Sequence, residues 1–298
     1  EVQAGQHIDD AHDSVTGLPI YSLHSLENNT YQPNAAMLKN VDTILFDVQD
    51  AGLRFYTYLS TLVMIMRAAA EHSKRVVVLD RPAPLNGLTM EGGLLDPAFS
   101  SFVGISVLPM RYGMTVGEIA GFINTRDGIH CELSVIPMRG WTRARWHDET
   151  GLPFVPPSPN IPTLTTLTAY AGMCLIEGTN LSEGRGTTKP FEYIGAPYMD
   201  ALAFTDALNA LGLDGVRFRP VYFVPTFSKY AGILCQGTHI YITDRLAFEP
   251  AKTALHLIET AKTLYPHQYP WHDPWPEGSR PPIDLLTGSD RTRHHFDH

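Results

Sequence analysis

The sequence predicts an α/β protein with a parallel sheet domain followed by a second, smaller α+β domain. Strand and helix patterns alternate along the first half of the chain, which is typical of parallel strands joined by crossover helices. Five prolines between residues 153 and 162 then form a rigid, extended crossing, because proline fits inside neither a helix nor a central strand. Beyond this crossing, helices and strands mix without regular alternation. We therefore place the two domains at residues 1–162 and 163–298.

The first domain contains predicted strands that alternate with two predicted helices. The run VDTILFDV is almost continuously apolar, which indicates a strand buried on both faces. Thr115 precedes the apolar periodicity of TVGEIAGFINTR and is predicted to be a helix N-cap. The predicted strands lie at 18–23, 41–48, 75–80 and 132–138, and the predicted helices at 56–73 and 115–126.

The second domain begins with an apolar helix directly after the proline-rich crossing. A polar, glycine-rich stretch, EGTNLSEGRGTTKPFEYIGAP at 177–197, follows this helix. Two further helices and two strands complete the domain. The predicted helices lie at 163–176, 200–212 and 250–264, and the predicted strands at 215–225 and 237–243.

The composition of the chain excludes several functional classes. Lys and Arg number 22 against 31 Asp and Glu, a formal net charge of −9, so we expect no nucleic-acid partner. The three cysteines lie far apart and fit neither a disulfide framework nor a metal site. The sequence has no apolar run of about 18 residues that indicates a transmembrane segment. The opening residues read as the middle of a domain, so we expect an N-terminal segment to be missing ahead of Glu1.

Two of the predicted strands end in charged and polar side chains. Because ligands of open parallel sheets bind at the carboxyl ends of the strands, these side chains are candidate site residues. A carboxylate at the end of a buried strand is costly unless it is paired or a site uses it. The structural alternative is a salt bridge of Asp80 with Arg54 or Arg81. The side chains concerned are Asp47, Gln49, Asp50, Arg54, Tyr56, Asp80 and Arg81.

The stretch at 177–197 has the composition of a wall that binds a polyhydroxylated ligand. Glu177, Asn180, Glu183 and Arg185 supply hydrogen-bonding groups, and an arginine can hold a carboxylate through two parallel hydrogen bonds. Glycines at 178, 184 and 186 let the backbone come close to a ligand. Aromatic residues at 191, 193 and 198 offer the flat apolar surface that sugars need. The alternative is an ordered glycine-rich loop with only a structural role.

Two other functions are weakened by single positions. ILFDVQDAG resembles the Asp-x-Asp opening of haloacid-dehalogenase-type phosphohydrolases, but Gln49 stands where their second aspartate handles protons. SEGRGTTK is superficially similar to a phosphate-binding loop, yet it matches neither of the established nucleotide-binding patterns. Phosphoryl transfer and nucleotide binding are therefore disfavoured.

Several long motifs match one family together. They are FDVQDAGLRFYTYLSTL, VVVLDRPAPLNG with EGGLLD after it, SFVGISVLPMRYGMTVGEIA, PSPNIPT and EGTNLSEGRGTTKPFEYIGAP. From about Tyr21 to Gly288, the chain resembles the bacterial exo-β-N-acetylmuramidases of the NamZ type. The resemblance implies a Rossmann-like first domain, a smaller second domain and an active-site cleft at their interface. It also implies hydrolysis of terminal, non-reducing N-acetylmuramic acid from peptidoglycan fragments during cell-wall turnover, without a metal or organic cofactor.

The resemblance implies site residues as well. Family members carry a Glu-His-Gly motif, expected shortly ahead of Glu1, whose glutamate is a candidate catalytic carboxyl group. Within this chain we predict Asp47, Asp50 and Glu183 as catalytic groups, since glycoside hydrolysis usually uses two carboxyl groups. The lactyl carboxylate of the substrate gives Arg54, Arg111 or Arg185 a role. The predicted substrate-binding residues are Gln49, Arg54, Tyr56, Asp80, Arg81, Arg111, Asn160, Glu177, Asn180 and Arg185.

A second function stays open at this point, namely a non-catalytic protein that binds muropeptides without cleaving them. In either case the expected partners are peptidoglycan-derived glycans that contain N-acetylmuramic acid. Such a substrate indicates an envelope or extracellular location, or a cytoplasmic role in recycling.

Overall fold

The computed structural model describes residues 9–23, 31–274 and 279–297. These residues form two compact units that interleave along the chain. The first unit comprises Glu1–Gly52, Tyr56–Leu88 and Gly113–Gly151, and the second comprises Leu53–Phe55, Thr89–Tyr112 and Leu152–His298. Two segments of the first half of the sequence, 53–55 and 89–112, thus belong with the second unit.

The first unit is built on a parallel sheet. A small hairpin of β1 (Ala11–His12) and β2 (Pro19–Ile20) and a short helix α1 (Ala35–Leu38) precede it. The sheet has the order β3-β4-β5, with Phe46 opposite Val78 and Val78 opposite Val135. Its elements are β3 (Thr43–Phe46), α2 (Thr57–Glu71), β4 (Arg75–Leu79), α3 (Val116–Arg126) and β5 (Glu132–Ile136).

One face of this sheet is covered and the other is exposed. Helices α2 and α3 pack against β4 and β5, and Phe46, Val76 and Val78 are buried. On the opposite face Leu45 is 65% exposed and Ile136 52% exposed. The prediction that 41–48 is buried on both faces is therefore wrong for the described residues, because only the face that carries Phe46 is covered. An apolar run does not reveal how many faces of a strand have a partner.

The second unit contains an antiparallel sheet of order β6-β8-β7 with helices packed against it. The predicted helix at 163–176 divides into an α-helix and a 3-10 segment, Cys174–Gly178. Gly172 allows close helix packing, since a Cβ atom there would lie 1.8 Å from the carbonyl oxygen of Pro250. The elements are α4 (Leu164–Met173), β6 (Tyr193–Ala196), α5 (Ala201–Ala210), β7 (Val216–Phe223), β8 (Cys235–Ile242), α6 (Pro250–Leu264), α7 (Pro282–Thr287) and α8 (Arg291–Asp297).

The sequence did not indicate β6, α7 or α8. Strand β6 lies inside the glycine-rich stretch and forms by pairing with β8, Tyr193 opposite His239. Among the residues that the structure describes, no helix is both long enough and apolar enough to cross a membrane.

Candidate functional site

The end of β3 carries an exposed ion pair. Arg81 Nε donates to Asp47 Oδ1 at 2.9 Å, and the two side chains are 40% and 52% exposed. The structure therefore pairs Arg81 with the predicted catalytic residue Asp47. Asp80, which the sequence offered as the partner of an arginine, has other contacts.

Asp80 binds the start of helix α3. Its carboxylate accepts hydrogen bonds from Gly117 N at 2.8 Å, Thr115 Oγ1 at 2.9 Å and Arg81 N at 3.1 Å. Thr115 is the N-cap, as predicted, and forms a capping box with Glu118. A carboxylate suits this position because the first amides of a helix lack partners within it. The contacts of Asp80 are thus those of a helix cap, and its predicted role in substrate binding stays a prediction.

Gln49 and Asp50 shape the loop after β3. Gln49 Nε2 donates to the carbonyl oxygens of Asp50 at 2.9 Å and Pro82 at 3.0 Å, and buried Asp50 accepts from Gly52 N at 2.7 Å. Gly52 has a φ of +74°, a conformation that favours glycine. These residues line a narrow depression together with Arg81. We call Asp47, Gln49, Asp50 and Arg81 the strand-end group.

Tyr56 begins helix α2. It is buried, holds the N-cap position without a side-chain cap and contacts the ring of Tyr58 edge-on at 4.9 Å between centroids. Its role as a sugar-binding residue therefore stays a prediction.

Arg54 is a buried structural residue of the second unit. Nη1 donates to the carbonyl oxygens of Gly93 at 2.9 Å and Leu108 at 2.6 Å, and Nη2 donates to Leu286 O at 2.9 Å. Burial lowers the pKa of its guanidinium to about 10. With 0% exposure, Arg54 joins three chain segments and offers no surface to a ligand. This placement argues against the substrate-binding role that we inferred from the sequence.

Arg111 is also buried. Its backbone pairs with that of Glu91, with Arg111 N donating to Glu91 O at 3.0 Å and Glu91 N to Arg111 O at 3.1 Å. Burial lowers the pKa of Arg111 to about 10, although the charge of Glu91 opposes this shift. Glu91 in turn caps helix α6 through Ala251 N at 2.7 Å. Arg54 and Arg111 are therefore both buried residues of the second unit.

The stretch at 177–185 forms a cluster of alternating charges. Arg185 Nη2 donates to Glu177 Oε1 at 2.8 Å, and its Nε lies 3.3 Å from Glu183 Oε1. Lys229 Nζ lies 3.2 Å from Glu183 Oε2. Burial lowers the pKa of Arg185, but Glu177 and Glu183 more than offset this and raise it above its ordinary value. We call Glu177, Glu183, Arg185 and Lys229 the loop cluster.

Burial and an aromatic ring fix the loop cluster in place. The side chain of Glu183 is 3% exposed, and the guanidinium of Arg185 lies 5.0 Å from the centre of the buried Phe191 ring. Phe191 has a φ of +60° and packs edge-on against Tyr170 at 4.6 Å. The sequence motif therefore folds as an ordered, charged wall rather than as an open loop.

The two predicted asparagines differ in their surroundings. Asn180 Nδ2 donates to Gln268 O at 2.7 Å, and its Oδ1 accepts from Tyr198 Oη at 2.8 Å. Asn160 is buried, and its Nδ2 donates to no group in the described part of the chain. The roles of Asn160 and Asn180 in substrate binding stay predictions.

The sequence analysis missed two residues of this region. Lys229 gave no signal in the sequence beyond its charge. Glu192 is buried at the end of the motif and accepts from Thr166 Oγ1 at 2.7 Å and Lys189 Nζ at 2.9 Å, with His239 Nε2 at 3.7 Å. Burial raises the pKa of Glu192, but hydrogen bonds from His239, Thr166 and Lys189 bring it below its ordinary value.

Comparison with family models covers nearly the whole chain. Residues 1–165 match the model described as Exo-beta-N-acetylmuramidase NamZ, N-terminal, and residues 168–298 match the corresponding C-terminal model. The chain belongs to the NamZ family. The resemblance found in the sequence motifs is thereby confirmed.

Relatives within the NamZ family agree with this assignment. The chain is 48% identical over 269 residues to peptidoglycan beta-N-acetylmuramidase NamZ of Bacillus subtilis (strain 168). That alignment covers 90% of the chain but only 64% of the length of the relative.

Two solved structures of DUF1343 family proteins from Bacteroides fragilis NCTC 9343 share the NamZ-family fold of this chain. One has a TM-score of 0.87 at 34% identity and covers 97% of this chain and 75% of its own. The other has a TM-score of 0.72 at 32% identity and covers 96% of this chain and 73% of its own. The predicted fold class, a Rossmann-like parallel sheet domain with a smaller α+β domain, is confirmed.

Proposed function

We propose that the protein carrying this chain is a glycoside hydrolase that releases terminal, non-reducing N-acetylmuramic acid from peptidoglycan fragments. The observation that carries the proposal is the match of both halves of the chain to the NamZ models, with a B. subtilis relative named as a peptidoglycan beta-N-acetylmuramidase. Because the alignment spans 64% of that relative, the activity is a proposal for this protein.

The exposure of the three predicted arginines favours one of them as the partner of the substrate carboxylate. N-acetylmuramic acid differs from N-acetylglucosamine by a lactyl ether that ends in a carboxylate. Arg54 and Arg111 are 0% and 4% exposed, whereas the side chain of Arg185 is 24% exposed. Nη1 of Arg185 has no hydrogen-bond partner within the described ranges. Arg185 is therefore the residue of the three that can receive a carboxylate.

The net charge of the loop cluster is compatible with an anionic ligand. Its two carboxylates and two cations sum to zero, so an incoming carboxylate meets no excess negative charge. The two glutamates stabilise the charged guanidinium of Arg185 and fix its direction. We assign Arg185 to the recognition of the lactyl group.

Burial favours two of the three candidate catalytic carboxyl groups. Hydrolysis of a glycosidic bond usually needs one carboxyl group that gives a proton and one that acts as base or nucleophile, and burial helps to tune such groups. Asp50 and Glu183 are buried, whereas Asp47 is exposed and paired with Arg81. Glu183, which faces two cations, fits the role of the ionised partner. We propose Asp50 and Glu183 ahead of Asp47.

Release of free N-acetylmuramic acid from a MurNAc–GlcNAc disaccharide, followed by mass spectrometry, tests the proposal. We expect release by the protein, and loss of at least about 100-fold in kcat for Asp50→Asn or Glu183→Gln, with a smaller loss for Asp47→Asn. Binding of the disaccharide without release of sugar identifies a non-catalytic muropeptide-binding protein instead. Full turnover in Asp50→Asn and Glu183→Gln removes these two residues from the mechanism.

Arg185→Met separates recognition from chemistry. It should weaken binding of N-acetylmuramic acid by about tenfold or more and leave binding of N-acetylglucosamine nearly unchanged, because only the first sugar carries the carboxylate. Isothermal titration calorimetry with both sugars measures the ratio of the two affinities. Equal losses for the two sugars contradict the assignment of Arg185.

An envelope or extracellular location is part of this proposal, because peptidoglycan fragments are the substrate. Fractionation of cells that express the native gene, followed by immunodetection of the protein, tests the location.

A further inference from the structure

The ammonium group of Lys229 lies among four backbone carbonyl oxygens of the segment that follows helix α4. Nζ is 3.1 Å from Ile176 O, 3.3 Å from Glu177 O, 2.8 Å from Thr179 O and 3.0 Å from Leu181 O. It also lies 3.2 Å from Glu183 Oε2. A single ammonium group therefore lies within 3.3 Å of four backbone carbonyl oxygens between 176 and 181.

The position of these carbonyl oxygens explains why they need a cation nearby. Ile176 and Glu177 belong to the 3-10 segment Cys174–Gly178, and the last carbonyls of a helix lack partners within it. Ile176 O also accepts hydrogen bonds from Thr179 N at 3.0 Å and Thr179 Oγ1 at 2.8 Å, so Lys229 adds to these bonds at the end of the segment. An ammonium group has protons that can point in several directions and suits carbonyls that converge on one point. Without Lys229, these oxygens and Glu183 would repel one another inside a half-buried space.

The backbone around Lys229 is set to deliver its side chain. Ser228 and Tyr230, on either side of Lys229, have φ values of +68° and +59°, in the left-handed region that residues other than glycine rarely adopt. Such conformations persist where the surrounding structure determines them, and they are frequent at functional sites. The chain accepts this conformation on both sides of one lysine.

Lys229 and Arg185 share one partner. Glu183 Oε1 lies 3.3 Å from Arg185 Nε, and Glu183 Oε2 lies 3.2 Å from Lys229 Nζ, an ion-pair contact in which the buried Oε2 accepts no hydrogen bond within the described residues. The charge of Lys229 therefore balances the oxygen that Arg185 would otherwise take as its second hydrogen-bond acceptor. An arginine facing a free carboxylate tends to bind it through two parallel hydrogen bonds. Removal of Lys229 therefore frees the 176–183 backbone and lets Arg185 turn toward Glu183.

We propose that Lys229 is a positioning residue for Arg185: it fixes the 177–185 stretch so that one edge of the guanidinium stays available for the substrate carboxylate. This inference rests on the proposed function for its consequence in substrate recognition. Its structural half, the ordering of the 176–183 backbone, stands on the contacts of Lys229 alone.

The test compares Lys229→Met with Lys252→Met in the full-length protein. Lys252 is a matched control in the same unit, since its side chain is 56% exposed and pairs only with Glu249 among its described ion-pair partners. Amide hydrogen exchange read by mass spectrometry should show faster exchange in 176–186 for Lys229→Met and no change there for Lys252→Met. If Lys229→Met gives no cooperative thermal transition, Lys229→Gln, which keeps a hydrogen-bond donor, replaces it.

The second readout is the ratio of the affinities for N-acetylmuramic acid and N-acetylglucosamine. A simple loss of folded protein lowers binding of both sugars equally, whereas loss of the Arg185 geometry lowers the ratio, by about tenfold. In the double variant with Arg185→Met, the ratio should fall no further than in Arg185→Met alone. Unchanged exchange in 176–186, or an unchanged ratio alongside a lowered ratio in Arg185→Met, overturns the inference.

The two proposals fail in different ways. Wild-type protein that neither binds nor releases N-acetylmuramic acid refutes the proposed function, and the hydrogen exchange result still decides whether Lys229 orders the 176–183 backbone.

Discussion

The strand-end group and the loop cluster both pair carboxylates with cationic side chains, but the ion pairs differ in their exposure to solvent. At the end of β3, Asp47 and Arg81 form one pair that is 52% and 40% exposed. In the loop cluster, Glu183 is 3% exposed and faces both Arg185 and Lys229. Exposed ion pairs are weak because water screens them and both side chains lose mobility, whereas removing one partner of a buried network leaves charge without solvation. Exposure, rather than residue type, therefore determines how much each carboxylate contributes to the fold.

The largest effect should come from breaking the loop cluster. Glu183→Gln removes the negative charge between two cations, and we expect the free energy of unfolding to fall by about 3 kcal/mol. Urea denaturation monitored by circular dichroism measures it. Asp47→Asn, the same chemical change in the strand-end group, is the matched comparison. Equal losses in the two variants would falsify the contrast between the regions.

Glu192, another buried carboxylate, extends the comparison to the pH dependence of stability. Its pKa is below the ordinary 4.5, so its hydrogen bonds stabilise the fold above pH 4.5, and this stability is lost as the pH falls through the lowered pKa. At neutral pH we expect Glu192→Gln to cost about 2 kcal/mol, since hydrogen bonds to charged groups are involved. Denaturation at several pH values should show the difference from wild type shrinking below pH 4.5. A difference that stays constant down to pH 3 contradicts the assignment.

Asp80 offers a third kind of carboxylate, in the first unit. It is half-buried, and it caps a helix instead of pairing with a cationic side chain. Asp80→Ala removes the acceptor at the start of α3 and should cost about 1 kcal/mol, as loss of a helix cap does. Asp80→Asn keeps an acceptor and should cost about 0.5 kcal/mol, which reflects the lost charge at the helix terminus. Thermal denaturation of the two variants gives the order. Equal losses would show that charge alone matters at this position.

The smallest effect should come from the exposed pair. A double-mutant cycle of Asp47→Asn and Arg81→Met should give a coupling energy of about 0.5 kcal/mol, and less at high salt. Denaturation at low and high sodium chloride measures both values. A coupling above about 2 kcal/mol that is insensitive to salt would place this pair in the same class as the loop cluster.

Local sequence signals located most of the regular elements. Strand β3 and helix α2 lie inside the predicted ranges 41–48 and 56–73, and Thr115 is the N-cap that its spacing indicated. Apolar periodicity and capping depend on neighbouring residues, so the sequence carries them directly. Strand β6 was missed because its pairing with β8 is not local and its own residues read as a loop.

The site was harder to predict than the fold. Sequence position suggested Arg54 as a ligand, but the carbonyls of Gly93, Leu108 and Leu286 converge on it from distant segments. Lys229 contacts Leu181 across 48 residues of chain, and only the folded backbone brings them together. Glu183 and Arg185 were recognisable because a single motif contains both. The sequence therefore predicts a cluster of side chains well where one segment supplies it and poorly where the fold assembles it.

The contacts of Arg54 also impose an order on folding during synthesis. The hydrogen bond from Arg54 to Leu286 joins residues 232 positions apart, and both belong to the second unit. A growing chain emerges from the ribosome far more slowly than local structure forms. The first unit has all its residues once Gly151 has emerged, whereas Arg54 must wait for more than a hundred further residues before its guanidinium is satisfied. During that interval the nascent second unit carries an unburied cation, and ribosome-bound chains that end before Leu286 should remain sensitive to protease at 53–55 and 89–112.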